Sequence, residues 1–308
     1  MADEIAKTGG AVDQDKSPLT GPLFVAVGED GSRLFSRDGR IWTHRQTGKE
    51  GETYSTACFG GGRCVVGGRY GGGNIFAATA DGVAWETSKH DAQYSNYIRS
   101  ILYFKDRFLA YGSNFLLPSE DGVRWGESQK LAEYKVIYGL VPTLRRFAVA
   151  DGLMVAVGDY GRCSVTKDGL DWTNMPDAKP VNTMIDVAHG NGVFVGGGMH
   201  ALRMRSTDGL AWTDRVLGEE GEHINSMIWD GRQFVGIGQG ATYLSPDGVA
   251  WQRKPNISAP TMAAYGAGIY VGSLWQGRLL ASTDGITWEE TARLPQHVLS
   301  LTFGVLGK

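Results

Sequence analysis

Ser36-Arg37-Asp38-Gly39-Arg40-Ile41-Trp42 is the stretch whose reading decides the fold, because the chain writes it seven times. The other copies run from Thr79 to Trp85, Ser119 to Trp125, Thr166 to Trp172, Ser206 to Trp212, Ser245 to Trp251 and Ser282 to Trp288. Each begins with a hydroxyl, continues to an Asp-Gly pair and ends in a Trp three residues after the Gly. The Trp-to-Trp intervals are 43, 40, 47, 40, 39 and 37 residues. A steady period of about 40 residues with one Trp per unit marks a radial or stacked repeat protein.

Working outward from the box, every unit follows one plan. An apolar run ending in Gly precedes it, as in Phe24-Val25-Ala26-Val27-Gly28 and Met154-Val155-Ala156-Val157-Gly158. Such short runs, apolar without alternation, suit a strand covered on both faces; this is strand B. Strand C, such as Ala201 to Arg205, leads into the box, and the box Trp opens an outer strand D. Strand A lies ahead of strand B, for example Ile98 to Leu102 or Ile224 to Ile228. Four antiparallel strands joined by short Gly turns make one propeller blade. The first unit has no strand A, whereas His297 to Gly304 follows the last strand D and reads as a spare one. The expected fold is therefore an all-β, seven-bladed β-propeller with four-stranded antiparallel blades. Its ring is closed by the C-terminal strand A joining the N-terminal strands B–D, which leaves no open sheet edge. Residues 1–21, polar and Gly-containing, read as a flexible N-terminal tether, and 22–308 as a single propeller.

Asp-Gly between two strands is a strong hairpin signal: the carboxylate accepts backbone N–H groups and Gly supplies positive φ. Because each carboxylate lies on its own blade's C–D turn, Asp38, Asp81, Asp121, Asp168, Asp208, Asp247 and Asp284 are spread around one rim. They cannot converge on a metal or a substrate, so their expected duty is structural. The same holds for Trp42, Trp85, Trp125, Trp172, Trp212, Trp251 and Trp288, which bury large rings against the sheets. In these residues the chain resembles the Asp-box (BNR) repeat, Ser/Thr-x-Asp-Gly-x-x-Trp, of sialidases, sortilin-like receptors, some glycoside hydrolases and assembly factors of the Ycf48 type. The resemblance spans residues 23 to 304 and implies a β-propeller; it does not imply one activity. Sialidases of that family are six-bladed, with an Arg-Ile-Pro element, three arginines and a Tyr/Glu pair. Here there is no Arg-Ile-Pro, and Arg99, Arg145 and Arg146 fall on only two successive blades.

Composition narrows the classes further. The formal net charge of −3 over 308 residues supplies no field for nucleic acid. No 18-residue apolar run and no signal-peptide pattern occurs, so neither membrane insertion nor export is expected, and the setting reads as cytoplasmic or particle-associated. Cys58, Cys64 and Cys163 form no metal-ligand spacing, and a Cys58–Cys64 bridge across one hairpin is not expected. No cofactor motif is present and no metal site is expected, although His200, His223 and His297 fall near the channel mouth.

A partner would meet the face opposite the boxes, built from B–C and D–A loops. Candidate residues there are Arg69, Tyr70, Tyr94, Tyr97, Arg99, Tyr134, Tyr138, Arg145, Tyr160, His200, His223, Trp275 and His297. These residue types bury area while keeping a polar handle. The longest interval places its extra residues in Gln129 to Pro142, a D–A segment with more apolar side chains than a solvated loop needs. It either folds over the rim as local core or presents a partner surface. Lys89, Arg99, Lys130, Lys135, Arg145 and Arg146 make blades 2 to 4 the basic side of that face. The function read from this pattern is a non-enzymatic binding or assembly propeller for a protein or glycan partner, on the scale of a phage-tail or injection-particle component. The alternative is a lectin or a glycoside hydrolase, for which Glu29, Asp30 and Asp159 are the available loop carboxylates.

Overall fold

The computed structural model describes residues 16–90, 97–113, 115–131, 134–175, 182–256 and 258–307. Seven antiparallel sheets are arranged around one axis. Blade 1 contains Val298–Leu306 as strand A, then Gly21–Gly28, Arg33–Ser36 and Thr43–Gln46 as strands B, C and D. Strand A comes from the C-terminus: Leu23 pairs with Gly304, Val25 with Thr302 and Val27 with Ser300. The expected closure of the ring is thus present, strand for strand.

The remaining blades follow in chain order. In blade 2 the strands are Thr53–Gly60, Arg63–Tyr70, Gly73–Thr79 and Glu86–His90. Blade 3 has Ser100–Phe104, Arg107–Tyr111, Phe115–Ser119 and the short Gln129–Lys130. Blade 4 has Leu144–Ala150, Leu153–Gly158, Cys163–Thr166 and Thr173–Asn174. Blade 5 runs through Met184–Gly190, Val193–Gly198, Arg203–Ser206 and Thr213–Val216. In blade 6 the segment Phe234–Ser245 supplies both middle strands. Its first half pairs with His223–Trp229 and its second with Gln252–Asn256. Blade 7 is Met262–Gly266, Ile269–Leu274, Arg278–Ser282 and Glu289–Arg293. Strand A of blade 3 begins two residues later than the sequence suggested. Of the expected tether, residues 1–15 lie outside the described residues. Leu19 is buried, and its N–H donates to the Asp81 carbonyl at 2.7 Å.

The box turns repeat one geometry. The leading hydroxyl donates to Asp Oδ1 at 2.9–3.3 Å in all seven copies. That hydroxyl oxygen accepts the box Gly N–H at 2.8–2.9 Å. The next two backbone N–H groups also converge on Oδ1, as from Leu170 at 2.8 Å and Asp171 at 2.9 Å. These donors hold the Asp168 carboxyl below its usual range. At Asp38 burial pushes the other way, yet the Ile41 and Arg40 donors prevail. Each box carboxylate is consumed locally.

The hydrophobic core is divided into seven layers between blades. Trp42 of blade 1 packs among Ile269, Val271, Leu279 and Ala292 of blade 7. Trp125 of blade 3 stacks on Phe76 of blade 2 with ring centroids 4.1 Å apart, and Trp172 meets Tyr111 of blade 3 edge-on. Every box Trp thus fills the gap between its own blade and the one before it. The box glycines lie against that same gap. A Cβ built on Gly169, whose φ is +83°, would stand 2.2 Å from Leu109 Cδ1 on the preceding strand B. Positive φ and absent space both exclude a side chain there.

We predict that Gly169→Ala will destabilise the fold by about 3 kcal/mol or more, since both strain and overpacking act. Gly152→Ala, at φ +74° but facing open space, should cost only about 1 kcal/mol. Urea unfolding of the two variants measures the gap; equal losses would mean the box Gly is a turn residue only.

Candidate functional site

The loop face holds the expected aromatic and charged residues as separate groups, one per sector. In blade 2, Arg69 and Tyr70 end strand B. The Tyr70 ring lies beneath Lys89 at 5.1 Å and Lys49 at 5.8 Å, and the Arg69 guanidinium sits 5.1 Å from the Tyr97 ring. Arg99 Nε donates to Ser113 Oγ at 3.1 Å. Tyr94 lies outside the described residues. In blade 4, Tyr138 and Tyr160 meet edge-on with centroids 5.7 Å apart, and buried Arg162 lies 4.8 Å from the Tyr134 ring. Asp159 is spent here: it pairs with Arg145 at 2.5 Å and accepts the Thr143 hydroxyl at 2.7 Å. Burial pushes its carboxyl up, but these donors and the Arg145 charge bring it below its ordinary value.

The three histidines near the channel mouth do not meet at one point. His223 Nδ1 accepts the His200 N–H at 3.2 Å, with ring centroids 5.9 Å apart. His297 belongs to another sector, where its Nδ1 accepts the Gln276 N–H at 3.0 Å and its ring meets Trp275 edge-on. Both contacts pin a B–C turn to the next strand A. Among the described residues no group of three or more His, Cys, Asp or Glu side chains is placed to hold a metal ion. The three cysteines are free thiols; burial pushes Cys58 up to about 12. Among the described residues no helix is long and apolar enough to cross a membrane.

One opening lies on the axis of the ring. The seven A strands enclose a cavity of about 800 Å³. Seven register-equivalent residues line it: Thr56, Ser100, Arg146, Asp186, Ser226, Met262 and Ser300. Their strand B partners are Gly67, Tyr111, Val157, Gly197, Ile237, Ser273 and Val27. At three of these positions the side chain stitches its blade to the next. Thr56 Oγ1 accepts the Ile101 N–H at 3.0 Å, Ser226 Oγ the Ala263 N–H at 2.9 Å, and Asp186 Oδ2 the Met227 N–H at 2.8 Å. A hydroxyl suffices for that bond, so the carboxylate of Asp186 adds a charge the stitch does not need. Burial pushes Asp186 up to about 6, against the pull of Arg146 and of two backbone N–H donors. The sequence marks Arg146 as part of the basic side and as one of three candidate arginines, but does not single out Asp186. Superposing the repeats on strand A would have shown it, since Ser or Thr occupies that place in four blades.

A Tyr/Glu pair with nearby arginines also exists, where the D–A segment before blade 6 meets the second half of Phe234–Ser245. Tyr243 donates a short hydrogen bond to Glu222, which pairs with Arg253 at 2.6 Å, and Arg203 lies 3.8 Å from the Tyr243 ring. Tyr243 and Glu222 are both buried. This network sits between blades 5 and 6 and closes their gap.

Solved structures share this architecture. A structure described as YCF48 bound to D1 peptide matches with a TM-score of 0.60 and 14% identity, over 89% of each chain. YCF48 from Cyanidioschyzon merolae gives 0.56 and 13% identity over 80% of this chain and 86% of that one. Virginiamycin B lyase from Staphylococcus aureus gives 0.59 and 9% identity over 77% and 83%. Likeness at such identities establishes the β-propeller fold alone. No family model and no curated protein matches the chain.

Asp186 supplies a pH-dependent prediction. The folded chain keeps its proton up to about pH 6, whereas an unfolded Asp releases it near 4. The resulting stability is full below about pH 4 and is lost as pH rises through about 6. Asp186→Ser, which retains an acceptor for Met227, should therefore lose ground to the parent at pH 4 and gain on it at pH 7. The expected change in their difference is on the order of 1–2 kcal/mol. A difference that stays flat across that window in denaturant titrations would refute the shift.

Proposed function

We propose that this chain is a non-enzymatic binding or assembly propeller that offers its B–C and D–A loop face to a protein partner. The observation that carries the reading is the pair of aromatics left in solvent on that face. Trp275 is 72% exposed and Tyr138 78% exposed, on blades 7 and 4. Large amphipathic rings in such positions are the usual anchors of interfaces. Among the described residues the box face offers no comparable aromatic, because its Trp rings are drawn into the gaps between blades.

The loop carboxylates available for glycoside chemistry are already engaged. Asp159 is held by Arg145 and Thr143, Asp30 accepts the Gly51 N–H at 3.1 Å, and Glu29 accepts the His297 N–H at 3.4 Å. That favours binding over turnover. The structural neighbour bound to a D1 peptide supports the same reading, since a propeller of this shape there holds a protein segment. Placement in a larger particle, with the residues ahead of Leu19 as the tether, is its broader form.

The test is site-specific photo-crosslinking of the full chain in its native host. A photoreactive side chain at position 275 or 160 should give a discrete protein adduct, and one at 41 or 249 on the box face should not. Adducts from the box face alone would overturn the reading, and a glycan-array signal without any protein adduct would replace the partner class.

A further inference from the structure

The ring of residues around the axial cavity holds two charges that the fold does not use. Arg146 of blade 4 and Asp186 of blade 5 stand at one register on neighbouring A strands, opposite Val157 and Gly197. Among the described residues neither belongs to an ion pair. Each is held elsewhere. Arg146 Nη1 donates to the Arg145 carbonyl at 3.2 Å. Asp186 accepts the Val187 N–H on Oδ1 at 2.9 Å and the Met227 N–H on Oδ2 at 2.8 Å. Two opposite charges thus stand on adjacent blades without closing on one another. Four blades complete the ring with Ser or Thr at this register, namely Thr56, Ser100, Ser226 and Ser300. A guanidinium and a carboxylate there carry a desolvation cost that a hydroxyl would avoid. Ionisable groups kept in a cleft on such terms point to a functional site.

The rest of the wall is of two kinds. At the level of the charges, Ser100, Ser300 and Asn225 line the cavity, and their side chains make no hydrogen bond to the described residues. One to three residues farther along the same strands, about 3–10 Å away, lie Leu102, Phe147, Tyr265 and Phe303. These four are only partly buried by the gaps between blades. A volume of about 800 Å³ falls within the range of about 300–1,000 Å³ usual for small-molecule sites, which likewise combine an apolar wall with a few fixed polar groups.

We infer that the axial cavity is a binding site for a small zwitterion with an apolar body, of the α-amino-acid type, its carboxylate on Arg146 and its ammonium on Asp186. An anion alone would be repelled by Asp186 and a cation alone by Arg146. A molecule that carries both charges a few atoms apart satisfies the two residues at once. The Nε–Nη2 edge of Arg146 offers a carboxylate two parallel donors. Each oxygen of Asp186 keeps a lone pair after accepting one backbone N–H. The apolar body lies against Phe147 and Leu102. This site is on the axis and goes beyond the loop-face reading above.

The experiment titrates the full chain by calorimetry at about pH 7.5, where Asp186 is ionised. The probes are L-phenylalanine, 2-phenylethylamine, 3-phenylpropionate and glycine. Phenylalanine should bind at least about tenfold more tightly than each of the others, which lack in turn the carboxylate, the ammonium and the apolar body. Arg146→Ser installs the residue that blades 1, 3 and 6 carry at that register. It should weaken phenylalanine about tenfold and erase its advantage over 2-phenylethylamine, while its advantage over 3-phenylpropionate stays. Asp186→Ser should do the reverse. No binding of phenylalanine, equal binding of the four probes, or charge preferences that survive both substitutions overturns the inference. These titrations read the axis, whereas adducts at position 275 read the loop face, so either result can fail without the other.

Discussion

Backbone pressed against side chain across each gap between blades is the contact on which the remainder depends. The box turn packs so close to the preceding strand B that a Cβ added to its Gly would stand 2.2 Å from Leu109 at Gly169 and 2.3 Å from Val65 at Gly122. The turn can reach so far only because hydroxyl and carboxylate absorb its N–H groups from inside. Water-satisfied N–H groups would hold it away from an apolar wall. The Trp three residues later then roofs the same gap. Turn chemistry and core packing are therefore one device, repeated until the circle meets itself.

Closure follows from counting gaps. Seven layers need seven pairs of sheets, and the last pair exists only because Val298–Leu306 hydrogen-bonds to Gly21–Gly28. Trp42 is the most buried of the box Trp residues, and it occupies the layer between the first and last blades. Joining the termini inside one sheet makes the ring a single cooperative object, unlike an open solenoid that can fray from its ends. A ring of seven also leaves its inner strands unable to touch across the axis. The cavity is what remains, and its lining inherits whatever the A strands carry at one register.

The box, the strand order and the closure were all legible in the sequence because each rests on chemistry within a few residues. Asp-Gly, hydroxyl and Trp announce their own turn, and a missing strand A at one end finds its counterpart at the other. Position across blades was not legible. Asp186 shares a ring with Arg146 only after a bulge shifts the pairing at Leu144/Arg146 and Met184/Asp186. His200, His223 and His297 looked alike from spacing, yet two bind each other and the third binds a different turn. Tyr243 and Glu222, 21 residues apart, gave no sign of pairing, since one ends on strand C and the other precedes strand A. Strand A itself is the weakest in pattern, being half lining and half core, which explains the displaced start at Ser100.

Conformation at the B–C turns adds a layer that composition conceals. Asp30, Tyr160, His200 and Gln276 open equivalent turns in blades 1, 4, 5 and 7, with φ of +50°, +51°, +57° and +62°. Gly71 stands there in blade 2 and takes the same conformation without a Cβ. Glycine would serve the backbone as well in every blade, and Asp or His would cost less than Tyr or Gln. Where the fold alone is at stake, the cheapest residue is enough; the boxes behave in that way, with Gly at every copy. The B–C turns do not, and they differ from blade to blade while the hairpin beneath them stays the same. A rim of strained, unlike side chains on an otherwise repeated scaffold separates what the ring needs from what its open face presents. Of those four, only Tyr160 meets a second strained aromatic among the described residues, Tyr138, whose loop also leaves Val136, Leu140 and Val141 in water.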